Sequence, residues 1–447
     1  MSRNLLEPDA HRVGFIFDND ERTPYQAALL ENTGTNLVLT IPWHDDINAE
    51  YSRWFMGRDM RWGDDPDRSK FAYMVPECID FHDNDGSVVL VGCRSAGYRS
   101  QFGGHSRGRI TARYAVLGGD GASAYQKINA LQSEIDGLAR WFATSTLERS
   151  DELTEHGWTS STYTAQHRAR LPIAHGLNLT LVTSFEPDES GRDTVLKEPT
   201  RVETRVADAR SWSQHMAPHL AIRDLLAVAA WKTPRFLSHR AMTDSDPARS
   251  LSGARIGEAW HPVVTYATNP SPAEEGADLD LDHLFLFNAS HVHVAGVRRW
   301  MKLRNDFSRG IDPILSSLQN PGAPVPSRVT EMGIGLEAIG YELLLQDGES
   351  PRAARGANFR ERLERIARDI SSDLGFEPMA WAQRMSDVYN GTKHANREKP
   401  EFLESLNGWR QSVQVFRAWI ASQLGVDTEK LTERLALDRL SHPYELR

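Results

Sequence analysis

Met385-Ser-Asp-Val-Tyr-Asn-Gly-Thr-Lys-His-Ala-Asn-Arg397 lies between two helical patterns and gathers a phenol (Tyr389), a carboxamide (Asn390), an ammonium (Lys393), an imidazole (His394) and a guanidinium (Arg397) within nine residues. Phosphodiester chemistry in RNA calls for such groups: an acid/base that titrates near neutrality and positive charge beside the phosphorus. A polar loop that merely caps two helices has the same local composition. The flanking sequence decides between the two.

On both sides the apolar period is helical. Pro378 opens a pattern that carries Met379 to Tyr389 into the polar stretch, and Phe402 to Leu424 gives another, closed by Gly425. Further upstream, Phe359, Leu363, Ile366, Ile370 and Leu374 mark a helix ending at Gly375, after a polar loop from Gln346 to Ala357. Before it, Val329, Met332, Leu336, Ile339, Leu343 and Leu344 form one stripe, preceded by the proline-rich stop Asn320 to Ser327. The first pattern begins at Val294 to Leu303 and resumes at Ile311 to Leu318. Five helices with short connections predict an antiparallel bundle over residues 289–447. Within it Arg352, Arg355, Arg360, Arg362, Arg365 and Arg368 fall close together. Glu361 and Glu364 stand four residues before Arg365 and Arg368, so a solvated, ion-paired face is the favoured reading, with the remainder a candidate phosphate track.

Residues 1–288 read differently. Short apolar runs bounded by turn residues predict strands at Val13–Asp18, Asn36–Ile41, Ser87–Cys93, Ile110–Leu117, Leu177–Phe185, Arg201–Val206, Trp260–Thr268 and Leu281–Phe287. Asp83-Asn-Asp-Gly86 suits a hairpin turn. Leu131, Glu134, Ile135, Leu138 and Trp141 recur at helical spacing, and His219 to Trp231 predicts a buried helix. The fold class is therefore α+β: an N-terminal antiparallel β-rich domain with helical insertions (1–288), then an all-α bundle (289–447).

Composition narrows function. The chain has 447 residues and a formal charge of −10, which argues against indiscriminate coating of nucleic acid. Residues 289–447 carry 22 basic and 21 acidic side chains against 29 and 40 before them, leaving room for a local basic face late in the chain. Two cysteines, Cys78 and Cys93, are too few for a disulfide framework and fit a reducing compartment. The N-terminus has no apolar h-region and no apolar run approaches the roughly 18 residues of a membrane span, so a cytoplasmic protein without a membrane partner is expected. Cys78-x3-His82 with Cys93 and His105, His44-Asp45-Asp46 and His291-x-His293 lack the spacing of a zinc finger and read as core, turn and strand-end residues; no metal or cofactor is expected. Aromatics and arginines between Tyr51 and Lys70 suit either a partner or base-stacking surface or an ordinary long loop.

The layout resembles the ApeA-like branch of the HEPN superfamily, bacterial anti-phage proteins in which a β-rich domain precedes a helical HEPN domain. The resemblance is carried by Leu131–Phe142, Ile222–Trp231, Gly335-Leu-Glu-Ala-Ile339, Asp387-Val-Tyr-Asn-Gly-Thr-Lys-His394 and the closing helix to Gly425. It implies a metal-independent endoribonuclease with an Arg-x4-6-His motif, in which a 2′-hydroxyl attacks the adjacent phosphate, His moves the proton and Arg stabilises the charge. It also implies tRNA or mRNA as substrate, a phage component as trigger, the N-terminal domain as sensor, and a homodimer through the helical domain. Asn390 and His394 match the motif, but Tyr389 stands at the arginine, and a phenol with a pKa near 10 brings no positive charge. Arg397, or else Lys393, is expected to supply the phosphate contact. Arg170/His175 and Arg210/His215 have the same spacing but lie in the β-rich part and are set aside. The alternative is a catalytically inactive HEPN protein that binds RNA or a protein partner; a third is a protein whose Tyr389 is modified by a nucleotidyltransferase.

Overall fold

The computed structural model describes residues 4–17, 25–44, 51, 53–56, 75–101, 103–153, 157, 159–165, 169–188, 195–266, 285–320 and 322–445. Its first part is a 14-stranded sheet in which the neighbouring strands of the described residues pair antiparallel. Across the sheet run Ala169–Ala174, Leu179–Thr183, Thr200–Arg210, Ile128–Ile135, Phe236–Met242, His261–Val264, Tyr114–Leu117, Gly86–Val91, Cys78–Asp83, His11–Phe17, Gln26–Asn32, Leu37–His44, His105–Ala112 and Arg94–Arg99. Among the described residues three α-helices interrupt it: α1 (Arg53–Met56), α2 (Leu138–Phe142) and α3 (Trp212–Ala230).

Because successive strand residues point to opposite faces, Val89 and Val91 join one core while Val88 and Leu90 join the other. The smaller core is closed by Trp43, Tyr51, Trp54 and Phe55, with Trp43 and Phe55 stacked at 5.5 Å. Tyr51, Trp54 and Phe55, from the stretch that suited either a partner surface or an ordinary loop, thus pack inward. Residues 52 and 57–70 of that stretch, like Asp45 and Asp46, lie outside the described residues. The Asp83–Gly86 turn forms as expected: Asp83 Oδ1 accepts from the amides of Asp85 (2.9 Å) and Gly86 (3.1 Å), and Gly86 has φ +133°.

Several expectations need correction. Ile128–Ile135 is a strand, and only Leu138–Phe142 of the expected helix is helical. The strand is buried on both faces, so its apolar residues do not alternate and its spacing imitates a helix. The run at 110–117 is two strands, His105–Ala112 and Tyr114–Leu117. Phe285–Phe287, the described end of the expected strand at 281–287, form a bend.

The second part contains eight helices among the described residues: α4 (Ala289–Asp306), α5 (Ser308–Leu318), α6 (Val325–Gln346), α7 (Pro351–Gly356), α8 (Phe359–Arg368), α9 (Pro378–Lys393), α10 (Phe402–Leu424) and α11 (Thr428–Leu437). The expected polar loop is partly α7, capped by Ser350, and the helix expected to reach Gly375 stops at Arg368. Gly375, at φ +72°, instead turns the connection to α9. His291 and His293 belong to the start of α4, where Asn288 and His291 cap each other, and not to a strand end.

Sheet and bundle share one continuous core, from Val89 and Trp141 through Phe287 and Trp300 to Trp381 and Trp419. The join is α3, which lies on the strands with His215 and His219 beneath it and meets the bundle along its other side. Trp300 Nε1 donates to Ala221 O (2.6 Å), and Arg304 Nε to Asp224 (3.0 Å). Fully buried Arg417 of α10 donates to the last-turn carbonyls of Val228 (2.9 Å) and Ala229 (2.8 Å) while pairing with Asp438 (2.5 Å). Those carbonyls have no partner within a helix, and a cation at a helix C-terminus is favoured by the macrodipole.

Candidate functional site

The polar stretch 385–397 is mostly helix. α9 begins at Pro378 behind a Glu377 cap that accepts from Ala380 N (2.6 Å), and it buries Trp381, Ala382, Met385, Ser386, Val388 and Tyr389. Trp381 Nε1 donates to Ser412 of α10 (3.1 Å), which fixes the face that α9 turns inward. Lys393 closes the helix. His394 is its C-cap in an extended conformation, with its amide on Asn390 O (2.9 Å).

Arg397 does not resume a helix after His394. It returns in a tight turn, its amide on His394 O (3.0 Å). Gly391 permits this return, though not through a left-handed backbone: a Cβ there would stand 2.6 Å from Glu398 O and 2.9 Å from Pro400 Cδ. Lys393, His394 and Arg397 are all exposed, and Asn390 is half-buried, its amide nitrogen 3.4 Å from Ser386 Oγ. Neither the imidazole of His394 nor the guanidinium of Arg397 is engaged by a hydrogen bond or ion pair among the described residues.

Tyr389 points the other way. It is 2% exposed, its ring packs on Phe359 of α8 with centroids 4.6 Å apart, and it covers Gly333 of α6, whose missing side chain makes the space. Burial raises its pKa; Lys393 and Glu337 beside the hydroxyl pull in opposite directions. Glu337 in turn accepts from Arg362 (2.8 Å). Gly333 escaped the sequence reading and Glu337 entered it only within the Gly335–Ile339 run, although their four-residue spacing puts both on one side of α6.

The arginines of α7 and α8 are largely committed. Arg360 pairs with Glu364 (2.7 Å), Arg365 with Asp347 and Asp369, and Arg362 is buried and donates to Ala354 O and Arg355 O as well as Glu337. Ion pairing thus absorbs much of the candidate phosphate track. Cys78 and Cys93 are buried thiols whose pKa values are raised by desolvation, that of Cys78 to about 12. The set-aside pairs also have local duties: Arg170 pairs with Glu203, and His215 is buried between Thr204 Oγ1 (2.8 Å) and Ile128 O (3.0 Å).

A wide antiparallel sheet, joined by α3 and by the bond of Arg298 to Ile173 O to a bundle that presents an Asn-x3-His pair at a helix end, defines the class: a sheet domain coupled to an HEPN-type helical domain. A family model described as ApeA N-terminal domain 1 matches residues 65–295, and one described as Apea-like HEPN matches 347–430. The chain belongs to the ApeA-like HEPN family, a HEPN-type anti-phage defence family. No curated protein and no solved structure matches it. Among the described residues no helix is long and apolar enough to cross a membrane.

Proposed function

We propose that the protein is a metal-independent endoribonuclease of anti-phage defence, acting in the cytoplasm on tRNA or mRNA. Residues 289–447 do the chemistry and 1–288 sense or regulate. The supporting observation is the exposed, uncommitted imidazole of His394, flanked in sequence by Lys393 and brought by a turn to Arg397. In this reading His394 accepts the proton of a 2′-hydroxyl as its oxygen bonds to phosphorus. The 5′-oxygen leaves and takes a proton from a second imidazole, supplied by another copy of the chain in a homodimer through the helical domain. Arg397, or else Lys393, holds the phosphate oxygens, and Asn390 orients the linkage. Incubation with total tRNA and mRNA beside a His394→Ala control tests this; equal cleavage by both removes His394 from the chemistry.

A second reading rests on Tyr389. Buried against Phe359, the residue at the motif's arginine position offers no charge to a phosphate, as in a HEPN protein that binds RNA or a protein partner without cutting. Nuclease activity that arises only in Tyr389→Arg supports this reading. The same burial leaves little access for a nucleotidyltransferase at Tyr389, and an unmodified mass after co-expression with such an enzyme removes that possibility.

A further inference from the structure

We propose that the cavity between the start of α3 and the sheet binds a small phosphorylated, hydroxyl-bearing molecule of mononucleotide size. The cavity measures about 450 Å³, within the range of small-molecule sites. Arg94 and Arg113 line it, both exposed and neither paired with a carboxylate among the described residues. In this acidic half of the chain that is informative, because Arg12, Arg201 and Arg205 each hold a carboxylate within 3 Å.

The wall between the two guanidiniums adds to the same chemistry. Tyr114 and Trp212 stack with centroids 4.4 Å apart, and the guanidinium carbon of Arg113 lies 5.8 Å from the centre of the Tyr114 ring. Trp212 is also the first residue of the 19-residue α3. Ser211 caps the amide of Gln214, whereas the amides of Trp212 and Ser213 have no acceptor among the described residues. Two guanidiniums and two helix-start amides around one cavity favour a phosphate. Glu77, also in the wall, disfavours a bare anion and accepts from hydroxyl or amino groups. A sugar phosphate or nucleotide supplies both, and inorganic phosphate supplies only the first.

Calorimetric titration of the full chain with AMP, inorganic phosphate and a 5′-phosphorylated RNA trinucleotide tests the site, with a readout independent of RNA cleavage. AMP is expected to bind at least tenfold tighter than phosphate. Arg113→Gln and Arg94→Gln should each weaken AMP at least tenfold while leaving the melting curve of the free protein in place, because both side chains are exposed. Glu77→Gln should narrow the gap between AMP and phosphate. No binding of any probe at millimolar concentration, or AMP affinity untouched by the arginine substitutions, overturns the proposal. Tighter binding of the trinucleotide than of AMP overturns the small-molecule assignment in favour of an RNA end.

Discussion

The ammonium of Lys393 lies 5.2 Å from the centre of the Tyr389 ring, one helical turn below it. A buried aromatic thus anchors the stem of an exposed cation at the end of α9, where Lys393 also complements the helix macrodipole. The cation beside His394 is positioned by packing, and His394 itself by the helix end.

Removing the imidazole should separate chemistry from folding. His394→Ala is expected to lower tRNA cleavage by roughly 10² to 10⁴-fold, the usual contribution of a general acid/base. Since His394 is exposed, thermal melting should not move. Gel assays and a melting curve on the same preparation check both halves.

Tyr389 should behave in the opposite way. Tyr389→Ala empties the space between Phe359 and Gly333 and is expected to cost about 3 kcal/mol, read as a lower urea midpoint. An unchanged midpoint contradicts the packing described for α6, α8 and α9.

Gly391→Ala tests whether the return of the chain positions Arg397. The added methyl must push Glu398 O and Pro400 aside, at an expected cost of about 1–3 kcal/mol. RNA cleavage should fall in native buffer at temperatures where circular dichroism still shows a folded protein.

Three buried histidines predict the acid response. Burial lowers the pKa of His215, His219 and His239, the last to about 4. They lie on one hydrogen-bonded path: Thr204 Oγ1 joins His215 (2.8 Å) to His219 (3.1 Å), and Ser133 Oγ joins His219 (2.7 Å) to His239 (2.8 Å). The unfolded chain takes up these protons near pH 6.5 and the folded chain does not. Stability is therefore fully present above about pH 6.5 and declines as pH falls toward 4, by up to about 3 kcal/mol for His239 alone. Urea midpoints from pH 7 to 5 should fall steadily, and less steeply in His239→Gln.

Arg417→Met should cost about 3–5 kcal/mol, because it takes the buried cation from Asp438 and the donor from Val228 O, while Ala229 O keeps the amide of Leu286 (2.9 Å). Chemical denaturation checks the magnitude. Arg417→Lys should recover only part, since one ammonium does not reproduce the fork that reaches Val228, Ala229 and Asp438.

What was legible in the sequence depended on whether local pattern and tertiary setting agreed. Phe402–Leu424 has an apolar stripe with a left-handed glycine after it, and both ends were read correctly. The turn at Asp83–Gly86 was equally plain, because its hydrogen bonds are made within four residues. Ile128–Ile135 misled because strands on both sides and packing on both faces remove the alternation that marks a half-buried strand. At the candidate site the exposed residues were nameable from their types. That Tyr389 faces inward was not, since it depends on Gly333 and Phe359, some 56 and 30 residues earlier in the chain. For the arginines of α7 and α8 the favoured ion-paired reading could name only partners on the same helix; Asp347, Glu337 and Gln383 come from other elements.

The seating of Arg417 on the last carbonyls of α3 means the two halves are not beads on a string. Excising residues 289–447 would keep the Arg417–Asp438 pair but remove both α3 carbonyls from the guanidinium, so an isolated bundle should be a poor surrogate for the intact chain. One path from sheet to bundle is α3, a rod of about 28 Å; another is the direct bond of Arg298 in α4 to Ile173 O of the sheet (2.5 Å). A displacement along α3 reaches α10, the neighbour of the helix that carries His394, through the bonds of Arg417 to Val228 O and Ala229 O.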